Sequence, residues 1–340
     1  MDLKQPRRLG KSDVEITPVI FGAWAVGGWM WGGAEEAESI AAIQASIDHG
    51  VTTIDTAAVY GQGYGEEVVG KAIKGRRERV QIATKCGMRW DTVAGGDGGS
   101  DPWKTDDRLG NPVEIRRNSR PESVAYELEQ SLKRLGTDVI DLYQVHWPDT
   151  STPVEDTMAA LLKLKDQGKI RAIGVSNYDE VWLKKAAAVA PVASLQPPYS
   201  LIQRKIEPKL LPFCRENQIG VIVYSPLERG LLTGKVGPDR TFPAGDHRAS
   251  HKFFTVENRR LVADALAKIR PIADGHGASL SQVVINWTIQ EPGITAALVG
   301  ARNAEQAVQN AGALDFSLSA EECATIRKVF DPVSAEMTKA

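Results

Sequence analysis

Four side chains with acid–base chemistry lie at, or just after, the ends of short apolar runs. Asp55 ends "VTTID", Lys85 ends "VQIATK" and His146 ends "VIDLYQVH", while Tyr60 follows Asp55 by five positions. A free phenol, with a pKa of about 10, is a poor acid at neutral pH, but a neighbouring ammonium favours its ionised form. We therefore predict that Tyr60 gives a proton to an oxygen that becomes an alkoxide, assisted by Lys85. Asp55 would hold Lys85 charged, and His146 would position the carbonyl oxygen.

These four residues contain no electron source, so a hydride donor must bind beside them. The later runs end in groups suited to a nicotinamide: the amides of Asn177 and Gln196 suit a carboxamide, and Tyr224 offers a face for ring stacking. After the last run, "GARNAEQAVQN" places Arg302 at a helix start, a combination suited to a phosphate. Each residue alone has an ordinary structural explanation, such as a turn amide or a surface arginine. Their joint occurrence favours a binding site.

Eight short, β-branched runs predict the elements that position these residues. They span residues 19–22, 51–55, 80–85, 139–146, 170–177, 192–196, 220–225 and 294–300. Such runs are typical of buried parallel strands, and helical patterns that end at a glycine lie between them, including residues 37–50, 121–136 and 153–168. The alternation predicts an α/β fold, a closed (β/α)8 TIM barrel in which residues 1–340 form one domain. A doubly wound sheet is the alternative.

Three other segments complete the predicted barrel. The stretch "RRLGKSDVEIT", ahead of the first run, predicts an N-terminal hairpin at the barrel floor. Residues 86–120 and 225–256 predict long, largely irregular loops at the C-terminal face, where the chemistry of parallel barrels collects.

Composition argues against several classes of partner. The 41 Lys and Arg residues nearly balance the 43 Asp and Glu residues, so no broad positive surface predicts nucleic acid or an anionic membrane as a partner. No apolar stretch is long enough to predict a membrane span, and the first residues lack the apolar core of a signal peptide. Cys86, Cys214 and Cys323 are far apart, a pattern typical of reduced thiols in a cytoplasmic protein.

Six motifs occur in the order found in one known family: "IDTAAVYG", "IATK", "DLYQVHWPD", "IRAIGVSN", "LQPPYSL" and "VYSPLERGLLTGK". On these motifs the chain resembles the aldo-keto reductases over nearly all its length, and it looks closest to bacterial members of the general-stress and inositol-operon type. The resemblance implies that Tyr60 is the general acid and base, supported by Asp55, Lys85 and His146. It also implies a set of residues that bind NADP(H): Gly22, Trp24, Asp55, Ser176, Asn177, Gln196, Tyr224, Ser225, Leu227, Arg229, Gly230, Lys235, Gly300, Arg302, Gln306 and Asn310.

The helix start that would bind the adenosine end departs from the family pattern. Many members carry Lys-Ser where this chain has Gly300-Ala301, and arginine where it has Gln306. Binding of a 2′-phosphate would then depend mainly on Arg302. With a 2′-phosphate bound by Arg302, the resemblance implies an NADP-dependent enzyme that interconverts small polar aldehydes or ketones and the corresponding alcohols or polyols.

Aromatic residues close to the strand ends are candidates for the wall of a substrate pocket, although packing on the barrel rim would also explain the tryptophans. The predicted substrate residues are Trp24, Trp29, Trp31, Tyr60, His146 and Trp147.

Two other functions would use the same residues. A Schiff-base aldolase would use Lys85 as its nucleophile, although a neighbouring Asp55 would keep the amine protonated. A nicotinamide-binding regulatory subunit with little turnover would keep the cofactor site, although the complete set of four side chains favours an enzyme. No metal site is predicted, because His247 and His251, with Asp246, lie in a Pro/Gly loop without a further ligand.

Overall fold

The computed structural model describes residues 2–28, 35–242 and 246–339, and eight parallel strands form a closed barrel at its centre. In chain order the strands are β1 (Val19–Gly22), β2 (Thr53–Asp55), β3 (Gln81–Cys86), β4 (Ile140–Val145), β5 (Ile170–Ser176), β6 (Val192–Gln196), β7 (Gly220–Tyr224) and β8 (Ala296–Val299). Each strand pairs with the next along the chain, and β8 closes on β1. The predicted barrel is confirmed, and the doubly wound sheet is wrong.

Helices surround the barrel, and each predicted helical pattern corresponds to one of them. The described residues contain α1 (Glu36–Asp48), α2 (Tyr64–Ile73), α3 (Pro121–Leu135), α4 (Val154–Asp166), α5 (Glu180–Val189), α6 (Leu210–Asn217), α7 (Val256–Gly275), α8 (Leu280–Gln290), α9 (Ala304–Ala311) and α10 (Ala320–Lys339). Helix α3 shows the predicted punctuation, since Pro121 opens it and Gly136 ends it at a φ of 64°. None of the helices described here combines the length and the apolar character needed to cross a membrane.

The apolar side chains form two main clusters, one on each side of the strands. The larger cluster lies between the strands and the helices, and the smaller one fills the barrel interior. This arrangement explains why the strands are buried on both faces and have nearly continuous apolar sequences.

The N-terminal hairpin closes the floor of the barrel, as predicted. Residues Arg7–Arg8 and Glu15–Ile16 pair antiparallel. The side chains of Leu9, Val14 and Ile16 are at most 2% exposed and belong to the interior cluster. An apolar plug therefore fills the end of the barrel opposite the predicted site.

The prediction that residues 86–120 are largely irregular is wrong. This segment forms a three-stranded antiparallel sheet from Met88–Arg89, Ser100–Asp106 and Pro112–Arg117. Its outer strand, with the sequence "SDPWKTD", is polar and mostly exposed, so it lacks the apolar alternation from which a strand is recognised. The described residues of the segment 225–256 do form an irregular connection, with short 3-10 helices at Glu228–Thr233, His247–Ser250 and Lys252–Phe254.

Candidate active site

Asp55 and Lys85 form a buried ion pair where β2 and β3 end. Lys85 Nζ lies 2.5 Å from Asp55 Oδ1 and donates a hydrogen bond to the carbonyl of Thr56 at 2.9 Å. Both charged side chains are at most 2% exposed. Burial disfavours the charged form of Lys85, but the nearby Asp55 and Tyr60 outweigh it and raise the Lys85 pKa. Lys85 is therefore a shielded ammonium.

The second oxygen of Asp55 is held by two side-chain amides. Gln196 Nε2 donates to Asp55 Oδ2 at 2.9 Å, and Gln144 Nε2 donates to the same oxygen at 3.1 Å. Each oxygen of this buried carboxylate thus has a partner, which is the condition under which a buried charge is tolerated. The orientation of Asp55 is fixed from both sides.

Tyr60 lies on a loop held by close backbone contacts. The amide of Tyr60 donates to the carbonyl of Ala57 at 3.0 Å, and the carbonyl of Tyr60 accepts from the amide of Gly65 at 2.9 Å. Gly61 follows at a φ of 62°, and a Cβ there would lie 2.5 Å from the carbonyl oxygen of Gly27. Glycine is therefore required beside Tyr60, and the contact sets where the phenol points.

The Tyr60 ring lies within the reach of both Lys85 and His146. Lys85 Nζ is 5.2 Å from the centre of the Tyr60 ring, and the Tyr60 and His146 rings meet edge to face with centres 5.8 Å apart. The structure thus brings together the four side chains predicted to act on a carbonyl.

Burial and charge act on the pKa of Tyr60 in opposite directions. Burial raises this pKa, Lys85 lowers it and Asp55 raises it, with a net increase above 10.0. The effect of Lys85, on which the prediction from sequence rests, is therefore only one of three. Part of the ring is accessible from the cleft, but the dense protein around the phenol outweighs the ammonium. Tyr60 consequently keeps its proton at neutral pH, as a proton donor must.

His146 follows β4, and only 8% of it is exposed. Its amide donates to the carbonyl of Cys86 at 2.9 Å, which fixes the backbone beside β3. Burial, together with the charge of Lys85, holds the His146 pKa well below 6.5. The imidazole is therefore neutral and can share its ring N–H with an oxygen acceptor.

A cleft of about 680 Å³ runs from these side chains along the C-terminal ends of the strands. Of the predicted residues, Lys85 lies below the cleft through its contact with Asp55, and Trp29 and Trp31 fall outside the described residues. All the other predicted residues line the cleft: Gly22, Trp24, Asp55, Tyr60, His146, Trp147, Ser176, Asn177, Gln196, Tyr224, Ser225, Leu227, Arg229, Gly230, Lys235, Gly300, Arg302, Gln306 and Asn310.

The polar groups beside Tyr224 form a connected network. Tyr224 Oη donates to Asn177 Oδ1 at 2.9 Å, and Asn177 Nδ2 donates to the His146 carbonyl at 3.0 Å and to Ser176 Oγ at 3.1 Å. Ser176 Oγ in turn donates to the Gln196 carbonyl at 2.8 Å. The Asn177 amide, which the sequence predicted as a carboxamide ligand, is already engaged by protein groups.

The segment after β7 has an unusual backbone. Ser225, Glu228 and Arg229 have φ values of 60°, 44° and 53°, and Gly230 has 93°. Glu228 turns inward and accepts a hydrogen bond from Ser200 Oγ at 2.7 Å, and burial raises the Glu228 pKa to about 7. Arg229 turns toward the cleft with a buried Nε that has no partner among the described residues. Left-handed non-glycine residues cost energy and cluster at functional sites.

The start of α9 also lines the cleft. Asn303 caps this helix by accepting from the amide of Gln306 at 2.9 Å, and Gln306 Oε1 accepts from the amide of Arg302 at 3.1 Å. Asn310 Nδ2 reaches back to the carbonyl of Gly300 at 3.1 Å. These bonds order the backbone and leave the exposed Arg302 guanidinium beside a helix N-terminus, where anions are favoured.

Sequence reasoning missed several residues of the site. Gln144 was passed over because it lies in the middle of an apolar run, although its inward position two residues before His146 was a usable signal. Met88 and Trp103 reach the cleft from the antiparallel sheet, and Arg240 and Arg248 reach it from the connection after β7. These four residues could not be predicted, because hydrophobic periodicity does not show which distant segments fold over the cleft.

Among the described residues, no group of three or more His, Cys, Asp or Glu side chains is arranged to hold a metal ion. Cys86, Cys214 and Cys323 are free thiols.

Comparison with known proteins identifies the family to which this arrangement belongs. The model of the aldo/keto reductase family matches residues 18–331. The chain belongs to the aldo/keto reductase family. It is 37% identical to aldo-keto reductase YhdN of Bacillus subtilis, covering 96% of both chains. It is 36% identical to the NADH-specific methylglyoxal reductase of Escherichia coli, covering 94% of this chain and 97% of that protein.

Solved structures of other family members superpose on the whole barrel. The glycerol dehydrogenase of Gluconobacter oxydans is 35% identical, with a TM-score of 0.86 over 100% of this chain and 98% of that one. An aldo-keto reductase of Klebsiella pneumoniae in complex with NADPH is 30% identical, with a TM-score of 0.69 over 96% of this chain and 95% of that one. This family consists of oxidoreductases that use nicotinamide cofactors on small carbonyl compounds.

Proposed function

We propose that this protein is an NADP(H)-dependent oxidoreductase that interconverts small polar aldehydes or ketones and the corresponding alcohols or polyols. Tyr60 acts as its general acid and base. The observation that carries the proposal is one continuous cleft that joins the cluster of Tyr60, Asp55 and His146 to Arg302 at the start of α9. Acid–base groups and an anion site in one cleft are the features that a dinucleotide-dependent reductase needs.

The cleft residues fit a nicotinamide dinucleotide. The partnerless Nε of Arg229 and the left-handed backbone around it provide a cradle for phosphates, while Tyr224 provides a flat ring face. When bound, the reduced nicotinamide supplies a hydride. Its ring would be held by Ser176, Asn177, Gln196 and Tyr224, its pyrophosphate by Ser225, Leu227, Arg229, Gly230 and Lys235, and its adenosine end by Gly300, Arg302, Gln306 and Asn310.

The protein's own groups would manage the proton. Tyr60 donates its phenolic proton to the substrate oxygen as negative charge develops there, and the ammonium of Lys85 stabilises the phenolate that is left. Neutral His146 donates a ring N–H to the same oxygen and so orients it. In the direction of alcohol oxidation, the Tyr60 phenolate accepts the proton.

We assign the preference for NADP over NAD to Arg302. Its guanidinium is exposed at the cleft and can form forked bonds to a 2′-phosphate. The Klebsiella pneumoniae neighbour in complex with NADPH supports NADP as the cofactor, whereas the NADH-specific relative from Escherichia coli shows that family members differ in this property.

Small polar substrates are favoured by the mixed lining of the cleft mouth, where Trp24, Trp147, Trp103 and Met88 lie near polar and cationic groups. The names of two relatives, a methylglyoxal reductase and a glycerol dehydrogenase, support a short hydroxy- or oxo-compound. We also infer that the chain acts as a single barrel domain, because α10 packs against α7 and contributes apolar side chains to the main core.

The proposal is tested by steady-state assays of the purified protein. Methylglyoxal, glyceraldehyde and a panel of longer aldehydes are offered with NADPH, and glycerol and other polyols with NADP⁺. We expect turnover with at least one short polar carbonyl. A folded protein that binds NADPH but oxidises it with none of them would instead be a nicotinamide-binding subunit. Borohydride trapping of a substrate on Lys85 without nicotinamide would indicate an aldolase.

A further inference from the structure

Gln144 connects two strands across the interior of the barrel. It lies on β4, and its side chain reaches Asp55 on β2 and Gln196 on β6. The residue is fully buried, and it lies beneath the cleft rather than in its lining. Gln144 therefore does not line the cleft itself and touches the site only through Asp55 and Gln196.

Both ends of the Gln144 amide are engaged. Its Nε2 donates to Asp55 Oδ2 at 3.1 Å, and its Oε1 accepts from Gln196 Nε2 at 3.2 Å. Turning the amide over would place its oxygen against the Asp55 carboxylate and its NH₂ group against that of Gln196. That orientation loses both hydrogen bonds, so the local charges select a single orientation.

The two bonds have different consequences in the site. The bond to Asp55 occupies Oδ2, so that Oδ1 remains directed at Lys85. The bond to Gln196 occupies the remaining N–H of that amide, because Gln196 Nε2 also donates to Asp55. No described group donates to Gln196 Oε1, and Gln196 lines the cleft. An acceptor oxygen is thereby presented to a ligand in the cleft.

We propose that Gln144 is a positioning residue, which aims Asp55 at Lys85 and turns the Gln196 oxygen toward an N–H donor in the cleft. The ligand chemistry that fits this oxygen is a primary carboxamide. The proposal rests on the function proposed for Tyr60, because Lys85 acts through that phenol. The titratable groups that interact electrostatically with Asp55 are Lys85 and Tyr60, and His146 in turn interacts with Lys85, so a disturbance at Asp55 reaches all three.

The test is Gln144→Met, which keeps the side-chain length but removes both hydrogen bonds. We expect kcat for carbonyl reduction to fall roughly tenfold or more, the scale of a lost bond to a charged group. We also expect the pH profile of kcat to shift and NADPH binding to weaken a few-fold. In Gln144→Glu, turnover relative to wild type should rise as the pH falls from 8 to 6 (about the range in which a buried carboxyl regains its proton and can donate).

The matched control is Thr84→Val. Thr84 is fully buried on β3 and donates to Glu66 at 2.6 Å, away from Asp55. This variant should lose some thermal stability but keep the wild-type pH profile. A folded Gln144→Met protein with unchanged kcat and pH profile would overturn the role of Gln144. So would a Gln144→Met protein that unfolds where Thr84→Val folds. Failure of the wild type to turn over any carbonyl would overturn the proposed function instead.

Discussion

At the floor of the barrel, the hairpin places Leu9, Val14 and Ile16 against an interior of aliphatic side chains, all of them nearly inaccessible to solvent. At the opposite end, the same eight strands finish in a buried ion pair between Asp55 and Lys85. One end satisfies the requirements of a core, and the other holds charges that a core would exclude. In a parallel barrel, stability and chemistry can be assigned to opposite ends of the same strands.

The two ends also differ in how their backbone is stabilised. The floor is a regular hairpin packed on apolar surface, whereas the segment after β7 keeps Ser225, Glu228 and Arg229 in left-handed conformations. Such conformations persist only when their surroundings impose them, and the inward hydrogen bond from Ser200 to Glu228 is one such constraint. Substitutions at the catalytic end should therefore reduce function more than stability, and substitutions at the floor should reduce stability more than function.

The largest effect is expected from Tyr60→Phe, which removes only a hydroxyl at the catalytic end. Turnover should fall by roughly a hundredfold to ten-thousandfold, the scale of general acid catalysis, while NADPH affinity and the free energy of unfolding stay near wild type. Steady-state assays with NADPH and NADPD check whether chemistry limits the rate.

Tyr64→Phe is the control for that variant, because Tyr64 is the neighbouring tyrosine on α2 and donates to Glu36 at 2.8 Å. It should retain wild-type turnover. If Tyr60→Phe retained most of its activity while an isotope effect showed hydride transfer to be rate-limiting, the role given to Tyr60 would be wrong.

The opposite outcome is expected at the floor. Leu9→Ala removes a side chain with no exposed surface and should lower the free energy of unfolding by about 2–5 kcal/mol, because it leaves a cavity. Turnover per folded molecule should remain close to wild type. Urea unfolding and assays at low temperature measure the two quantities.

The control is Leu109→Ala: this leucine is 69% exposed in the turn between the strands Ser100–Asp106 and Pro112–Arg117, and its replacement should change stability by less than about 0.5 kcal/mol. A Leu9→Ala enzyme that folds normally but loses turnover would contradict the separation of roles between the two ends.

The sequence predicted the barrel well because its signal is local. Each strand is a short apolar run, and its last residue lies at the C-terminal face by topology alone, so Asp55, Lys85 and His146 could be expected to converge. The hairpin was also predictable from its position before the first run. In these cases, one pattern in the chain corresponds to one element of the structure.

The sequence failed where the decisive property depends on packing between distant segments. The strand Ser100–Asp106 has a polar, exposed sequence, and its pairing with Pro112–Arg117 is visible only in three dimensions. The hydrogen-bond partners of Gln144 lie on other strands. The direction of the Tyr60 pKa shift depends on burial, which cannot be read from the order of residues in the chain. Residue spacing identified the charged and phenolic side chains of the site. The balance of charge and burial that sets their pKa values could be read only from the folded structure.

A smaller effect on stability is expected from Glu127→Gln near the catalytic end. Glu127 on α3 accepts from the amide of Gly87 at 3.0 Å, and burial raises its pKa from 4.5 to about 7. A raised carboxyl pKa stabilises the folded state below pH 4.5 and loses that contribution as the pH rises through 7. The variant stays neutral and should therefore be more stable than wild type at pH 8, by up to about 3 kcal/mol.

Urea unfolding between pH 5 and pH 8 measures this prediction, and Glu129→Gln is the control, since Glu129 is exposed on the same helix. The slope of the unfolding free energy against pH should be reduced rather than abolished in Glu127→Gln, because buried Glu228 titrates in the same range. An unchanged slope would show that Glu127 does not titrate between these pH values.

The smallest effect concerns Arg302, which lines the cleft just before α9. Charged hydrogen bonds contribute about 1.5–3 kcal/mol each, so the wild type should bind NADPH at least tenfold more tightly than NADH. Arg302→Ala should weaken NADPH and barely change NADH, which has no 2′-phosphate. Arg260→Ala, an exposed arginine on α7, should change neither. Fluorescence titration of each of the three proteins with both cofactors measures the six dissociation constants. Equal affinities in the wild type would overturn the NADP assignment, and tighter binding of NADH would give this chain the preference named for its Escherichia coli relative. If Arg302→Ala lost the same affinity for both cofactors, Arg302 would stabilise the start of the helix without recognising the 2′-phosphate.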